Sequence, residues 1–486
     1  MNKIKQIFTH GLPGKIILAI FVLAAVDVFS MAAPYYLKYI IPHVYTYLKI
    51  SQGDFDQLNA VLGYVVLATQ LPSGWLADKM SGKKLLIISV LMSAICTILF
   101  GLSTIGIFGS AQLVVLYITF TGFGVSTTLF LWSPLWKVLS EQSGAKDQGK
   151  LYGLQGSYNG LLGIIFITLI GTVATEMASK GNNILFYVLV FIIAGALIIS
   201  AFGIHFFVKD TNQKSNLLLS IKKWWKDKKI DKGNVKEKLK IIFSFRAFLI
   251  SFFVLGMYMF QSIFAYYLKS YVALISGATV IAAVAGLRTY ALRFLISGPW
   301  GKLLEKRRSW IFTLAMVLIV GILIATGLVL SAGVGNNIDA NISASYKLTL
   351  QILFPILFIL VGVVSWLLVA GRYMQIGEIP HTKDTLGSII ALVSFIAFSS
   401  DAWFYQMASS WMKSSGHEMT ALDVAKYGYG TVGGYDQAGL QLLLFTALGV
   451  GSFGVICGAL SFIINRREIK KLKKSSYRWR DLEEVD

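Results

Sequence analysis

The sequence predicts an all-α integral membrane protein of twelve transmembrane helices in two six-helix, pseudo-symmetric halves. Three observations carry that expectation. Only 14% of the 486 residues are charged and mean hydropathy is +0.67, whereas soluble domains carry about 25% charged residues. Twelve apolar runs each approach the roughly 20 residues needed to cross a bilayer core. The longest polar stretch, 209–240, separates the sixth run from the seventh.

The runs fall near 15–41, 55–78, 84–105, 111–139, 150–176 and 183–207, then near 245–269, 276–301, 309–331, 347–372, 385–411 and 438–464. The implied organisation is an N-terminal bundle (1–208), a basic linker (209–243), a C-terminal bundle (244–465) and a basic tail (466–486). Trp224 and Trp225 sit among the linker's lysines. That mixture fits an amphipathic helix lying on anionic lipid, or a solvated flexible connection. Residues 332–346 and 412–436 read as outer Gly- and Asn-rich loops.

Net charge is +20, yet its placement argues against nucleic acid. The lysines and arginines gather between alternate runs, at 79–84, 146–150, 209–240, 302–308 and 372–383, and in the tail. The intervening loops carry scattered lysines such as Lys49, Lys180, Lys269, Lys347 and Lys413. The positive-inside rule then places both termini in the cytoplasm, with anionic lipids as partners of the basic loops. Cys96 and Cys457 both lie in apolar runs, so neither a disulfide framework nor a metal site is expected. No small-residue cleavage site follows the first ten residues, and the first helix is expected to serve as insertion signal.

Between the second and third runs, Gly74-Trp75-Leu76-Ala77-Asp78-Lys79-Met80-Ser81-Gly82-Lys83-Lys84 reads as a short loop joining an antiparallel helix pair. Gly74 permits close helix approach, Gly82 is expected to supply a positive φ, and Asp78 suits a helix N-terminus, where the macrodipole favours an anion. Gly298 to Arg308 echoes it between the eighth and ninth runs, with the acid displaced to Glu305.

Gly74, Leu76, Ala77, Asp78, Gly82 and Lys83 resemble the signature loop of the major facilitator superfamily of transporters. The resemblance covers nearly the whole chain. It implies two parallel six-helix repeats about a midplane cavity, working as a monomer without cofactor. Residues 131–137, 144–153 and 371–380, with Gly387, Ser400 and Asp401, further resemble a YihN-like bacterial branch distantly related to organophosphate and organic-anion symporters. Two drug-antiporter features are missing: Ile118 stands where those relatives place an arginine four residues before Gly122, and 156–163 has no proline. The organophosphate relatives usually carry a binding arginine in each half, and the first half here offers no central one.

Ionisable residues inside a span are costly and mark candidate sites. Asp27, Arg288, Asp401 and Arg293 stand out. Asp27 and Asp401 are candidates to carry a coupling proton, Asp27 alternatively being an acid bonded to a neighbouring helix. Arg288 is a fixed cation whose fork suits an anionic group, or else the partner of Asp401 or Asp27. Arg293, five residues on, is assigned to structure or gating with Gly74, Asp78, Gly82, Lys83 and Lys84. Lys38 and Lys137, near helix ends, fit snorkelling to the interface, and Lys38 also suits an outer vestibule. Tyr35, Tyr36, Tyr64, Trp132, Tyr258, Gln261, Tyr290 and Trp403 are candidate cavity residues, although interfacial belts account for many aromatics in membrane proteins.

The expected function is secondary active transport of a small polar anionic solute by alternating access, as proton-coupled uptake across a bacterial cytoplasmic membrane. Anion exchange and efflux by the same fold are the alternatives. A lipid enzyme would need clustered chemistry, but the five histidines, at 10, 43, 205, 381 and 417, are scattered. A channel would lack alternating latches. The chain carries no phosphate-cradling G-x-x-x-x-G-K-[ST] motif, consistent with gradient-driven work.

Overall fold

The computed structural model describes residues 13–142, 148–209, 239–337, 342–380 and 383–471. Most of the basic linker and the tail beyond Lys471 lie outside these residues, so the amphipathic-helix and flexible-connection readings of 209–240 both fall there.

Among the described residues, eleven helices are long and apolar enough to cross a membrane. They are α1 (Gly14–Ile40), α3 (Gly82–Ile105), α4 (Gly109–Leu139), α5 (Leu154–Ser179), α6 (Ile184–Phe207), α7 (Phe245–Ser276), α8 (Ala278–Ile296), α9 (Trp310–Ser331), α10 (Ala344–Gly371), α11 (Ile389–Ser415) and α12 (Gln437–Lys471). The twelfth in the expected order is α2, Gln52–Lys79, whose 28 residues suffice in length. Its first turns carry Asp54, Asp56, Gln57 and Asn59. At about 1.5 Å per residue these helices come close to the hydrocarbon thickness of roughly 30 Å or exceed it. Among the described residues the fold is helical, as the apolar runs require.

Serine sets many of the boundaries. Ser51, Ser81, Ser244, Ser309 and Ser343 each accept a hydrogen bond from a backbone N–H three residues on, opening α2, α3, α7, α9 and α10. Such a side chain satisfies an amide that the helix itself cannot. α12 continues through Arg466 and Arg467 to Lys471, so the beginning of the expected tail is helix.

The signature loop is shorter than the sequence suggests. α2 continues through Gly74 and Asp78 to Lys79, leaving only Met80 and Ser81 before α3. Gly82 opens α3 and is not among the residues with positive φ. Its lack of a side chain has another cause: a Cβ there would lie 2.5 Å from Val138 Cγ2 of α4.

The chain forms two compact units. One contains α1 to α6 with 278–294 and 418–434; the other contains α7, 295–417 and α12. In the first, 418–434 is an ordered strap rather than an open loop. Tyr45 Oη donates to Gly430 O at 2.8 Å, Tyr429 Oη to Asn183 Oδ1 at 3.0 Å, and Gln52 N to Gly433 O at 2.7 Å. In the second, α7 and α12 cross where Gly256 and Gly454 meet, and a Cβ on Gly256 would lie 2.9 Å from Gly454 Cα. Small residues at a crossing bring backbones together where water supplies no hydrophobic drive.

Four helices of the first unit contain π-helical turns: Ala32–Tyr36 in α1, Val125–Trp132 in α4, Gly163–Leu169 in α5 and Leu287–Ala291 in α8. Such turns are rare and gather at functional sites. Tyr35, Tyr36, Trp132, Arg288 and Tyr290 all lie on them.

Candidate functional site

Each unit holds a buried polar cluster. In the first, Asp27 of α1 is 2% exposed. Its Oδ2 accepts from Gln155 Nε2 at 3.0 Å and from Asn159 Nδ2 at 2.6 Å. The two amides are four residues apart on α5, so they share one helix face. Arg293 of α8 attracts Asp27 electrostatically and hydrogen-bonds Tyr36. Tyr36 packs edge-on against Tyr290 with centroids 5.4 Å apart. α5 and α8 approach closely because Gly163 faces the Tyr290 ring: a Cβ there would lie 2.1 Å from Cε1.

The cation whose charge acts on Asp27 is therefore Arg293 rather than Arg288. A five-residue offset points away on a regular α-helix, but the π-helical turn between them changes the register. Arg288, 7% exposed, lies within electrostatic reach of Tyr39. Lys38 does not snorkel: it is 2% exposed and donates to Asn59 Oδ1 at 2.9 Å. Its ammonium lies 5.3 Å from the Tyr35 ring centroid and 5.4 Å from that of Tyr39.

In the second unit, Tyr258 of α7 donates its hydroxyl to Asp401 Oδ2 at 2.5 Å. Asp401 opens the second segment of α11, just beyond an interruption at Ser399, and Trp403 Nε1 donates to Ser399 Oγ at 3.3 Å. The Arg372 guanidinium lies 5.3 Å from the Tyr258 centroid and 5.6 Å from that of Phe398, and it donates to Gln261 Oε1. Tyr258 and Phe398 pack edge-on at 4.8 Å. Tyr258, Gln261 and Asp401 thus come together as candidate site residues, with Arg372 as an unexpected fourth member.

Arg372 follows the last residue of α10 and reads from sequence as a cytoplasmic loop charge. The connection after it turns inward instead. Its 3-10 turn, Met374–Glu378, buries Gln375, Ile376 and Glu378. Glu378 accepts from Ser309 Oγ at 2.9 Å, from Ile311 N at 3.0 Å and from Trp310 N, capping α9. An acid on a helix N-terminus is the role expected of Asp78, whose side chain lies outside the described structure. Lys83 donates to the His205 backbone oxygen at 2.7 Å, and Lys84 is exposed.

Tyr64 and Trp132 join neither cluster through a described contact. They are 48% and 45% exposed, and Trp132 packs on Trp136. The sequence reading missed Gln155, Asn159, Arg372 and Glu378. Paired amides at i and i+4 within the fifth run were an available signal for the first two; nothing local distinguished Arg372 from a topological charge.

Membrane-length helices enclosing buried acid and cation clusters describe a polytopic membrane transporter. A model of the Major Facilitator Superfamily matches residues 16–400, and the chain belongs to that superfamily. It is 35% identical over 487 residues to the "Uncharacterized protein MG294 homolog" of Mycoplasma pneumoniae, covering 96% of each chain. Among solved structures it resembles a bacterial homolog of the human lysosomal transporter Spinster in an inward-facing, occupied conformation, with TM-score 0.60, 13% identity and 93% and 97% of the two chains covered. It also resembles the nucleoside transporter NupG (0.57, 11%, 93% and 99%) and a POT family transporter bound to 5-aminolevulinic acid (0.60, 12%, 93% and 96%). At these identities the likeness is one of fold.

Proposed function

We propose that the protein takes up a small polar anion by proton-coupled alternating access across a bacterial cytoplasmic membrane. The observation that carries this reading is the sharing of Tyr258 by an acid and a cation. Its hydroxyl binds Asp401 while its ring lies beneath Arg372. A change in Asp401 protonation is felt at once by the residue that supports the guanidinium. A tyrosine hydroxyl donates to a carboxylate and accepts from a carboxylic acid, so Asp401 gains or loses a proton without losing this partner. Arg288 and Arg372 are the proposed anion anchors, because a guanidinium stays charged when buried and its fork fits carboxylate or phosphate oxygens.

Asp27 is the second candidate proton carrier. Both termini inside, monomeric action and attraction of anionic lipids to the basic connections complete the proposal. The test is a thermal-shift screen of sugar phosphates, nucleosides, amino acids and carboxylates on the purified protein, repeated on Arg288→Ala and Arg372→Ala. Ligand binding to the folded state raises the melting temperature by mass action. An anion whose stabilisation disappears in both variants supports the reading; stabilisation by neutral or cationic solutes, unchanged in the variants, overturns it.

A further inference from the structure

The Asp27 cluster contains polar atoms that the fold leaves unsatisfied. Asn159 Oδ1, Tyr290 Oη and Ser30 Oγ are buried and have no hydrogen-bond partner among the described residues. Such atoms are uncommon in folded proteins, and each calls for an explanation.

Helix spacing and two close contacts relate their positions. Asn159 directs its NH2 at Asp27 Oδ2, so its carbonyl oxygen faces away from the acid. Ser30 lies three residues after Asp27, on the same side of α1. Gly163 lies one helical turn after Asn159, and a Cβ there would come within 2.4 Å of Tyr290 Cζ, the carbon that bears the hydroxyl. One acceptor and two hydroxyls therefore lie within a helical turn of the Asp27–Asn159 and Gly163–Tyr290 contacts.

We propose that these three side chains form a subsite for a hydroxyl-bearing part of the transported solute, with Asp27 as the positioning residue that orients Asn159. Asn159 Oδ1 requires a donor, while Tyr290 and Ser30 both donate and accept, and an aliphatic hydroxyl complements all three. The atoms are closed over in this arrangement, so admission of the solute requires the Tyr290 ring to move off Gly163. The inference rests on the transporter reading and narrows the solute to a hydroxylated anion.

The test uses the full-length purified protein and three probes: gluconate, hexanoate and sorbitol. Gluconate and hexanoate share chain length and charge but differ in hydroxyls; sorbitol has hydroxyls and no charge. Gluconate is expected to bind about tenfold or more tightly than hexanoate, and Tyr290→Phe and Ser30→Ala are each expected to shrink that ratio by about threefold to tenfold, as one hydrogen bond allows. Removing an unsatisfied hydroxyl leaves the melting temperature of ligand-free Tyr290→Phe unchanged or higher.

The subsite is overturned by equal binding of gluconate and hexanoate, by a ratio unchanged in both variants, by no binding of either gluconate or sorbitol, or by a marked drop in the ligand-free melting temperature of Tyr290→Phe. The anion reading fails separately: sorbitol and gluconate binding equally, both unaffected by Arg288→Gln and Arg372→Gln, keeps the hydroxyl subsite and removes the anion anchors.

Discussion

At the scale of residues, the two buried acids have different company. Asp27 accepts from two amides, and Asp401 accepts from a hydroxyl. A hydroxyl reverses its role by rotating about one bond, whereas an amide must flip its whole group to present an acceptor. Asp401→Asn is therefore expected to abolish stimulation of uptake by an inward proton gradient while solute counterflow persists. Asp27→Asn is expected to lose charge-assisted hydrogen bonds worth about 1.5–3 kcal/mol, seen as a lower melting temperature. Reconstituted vesicles with and without a pH gradient separate these outcomes; full gradient-driven accumulation by both variants would remove the proton assignment. Gly163→Ala makes a steric prediction. A methyl beside Tyr290 is expected to cost about 1–3 kcal/mol by overpacking and to slow transport, whereas Gly195→Ala, where a Cβ meets no atom within 4 Å, should change little.

At the scale of elements, the 372–380 connection bears on both stability and site geometry. Glu378 joins it to the start of α9 while Arg372 reaches Tyr258 and Gln261. Glu378→Ala should destabilise the protein by about 1–3 kcal/mol, because the α9 amides lose an anionic acceptor. Glu378→Gln keeps an acceptor oxygen and should recover part of that loss; equal melting temperatures for the two variants and the parent would show that the cap contributes nothing. Sequence pattern set the existence and order of the helices, since each of the twelve apolar runs became a long helix among the described residues. It misjudged what lies between them. The signature stretch is mostly helix, Lys269 is buried inside α7 rather than in an outer loop, and Arg372 belongs to a cluster. A lone basic residue near a span end looks the same whether it faces water or a neighbouring ring.

At the scale of the molecule, the charge asymmetry makes a prediction about orientation. Cys96 and Cys457 are both buried, so a cysteine introduced on the surface reports with little background. Lys306→Cys is expected to react with an impermeant thiol reagent only from the cytoplasmic side, and Lys180→Cys only from outside. Labelling of both positions from one side would overturn the proposed arrangement of the termini.

Composition, run length and the spacing of basic residues by themselves determined that this chain is a helical membrane protein with its long helices in a given order. The signature residues added the superfamily. These properties are legible because burial in lipid acts on each segment separately: a span must be apolar along its own length whatever it later packs against. The tertiary structure alone decided that Gln155 and Asn159 serve Asp27, that the charge of Arg293 rather than Arg288 acts on that acid, and that Arg372 stacks on Tyr258. Those pairings depend on which faces of separate helices meet, and on π-helical turns that shift the register within a helix. Neither leaves a period or a composition in the sequence, because each is a relation between distant residues.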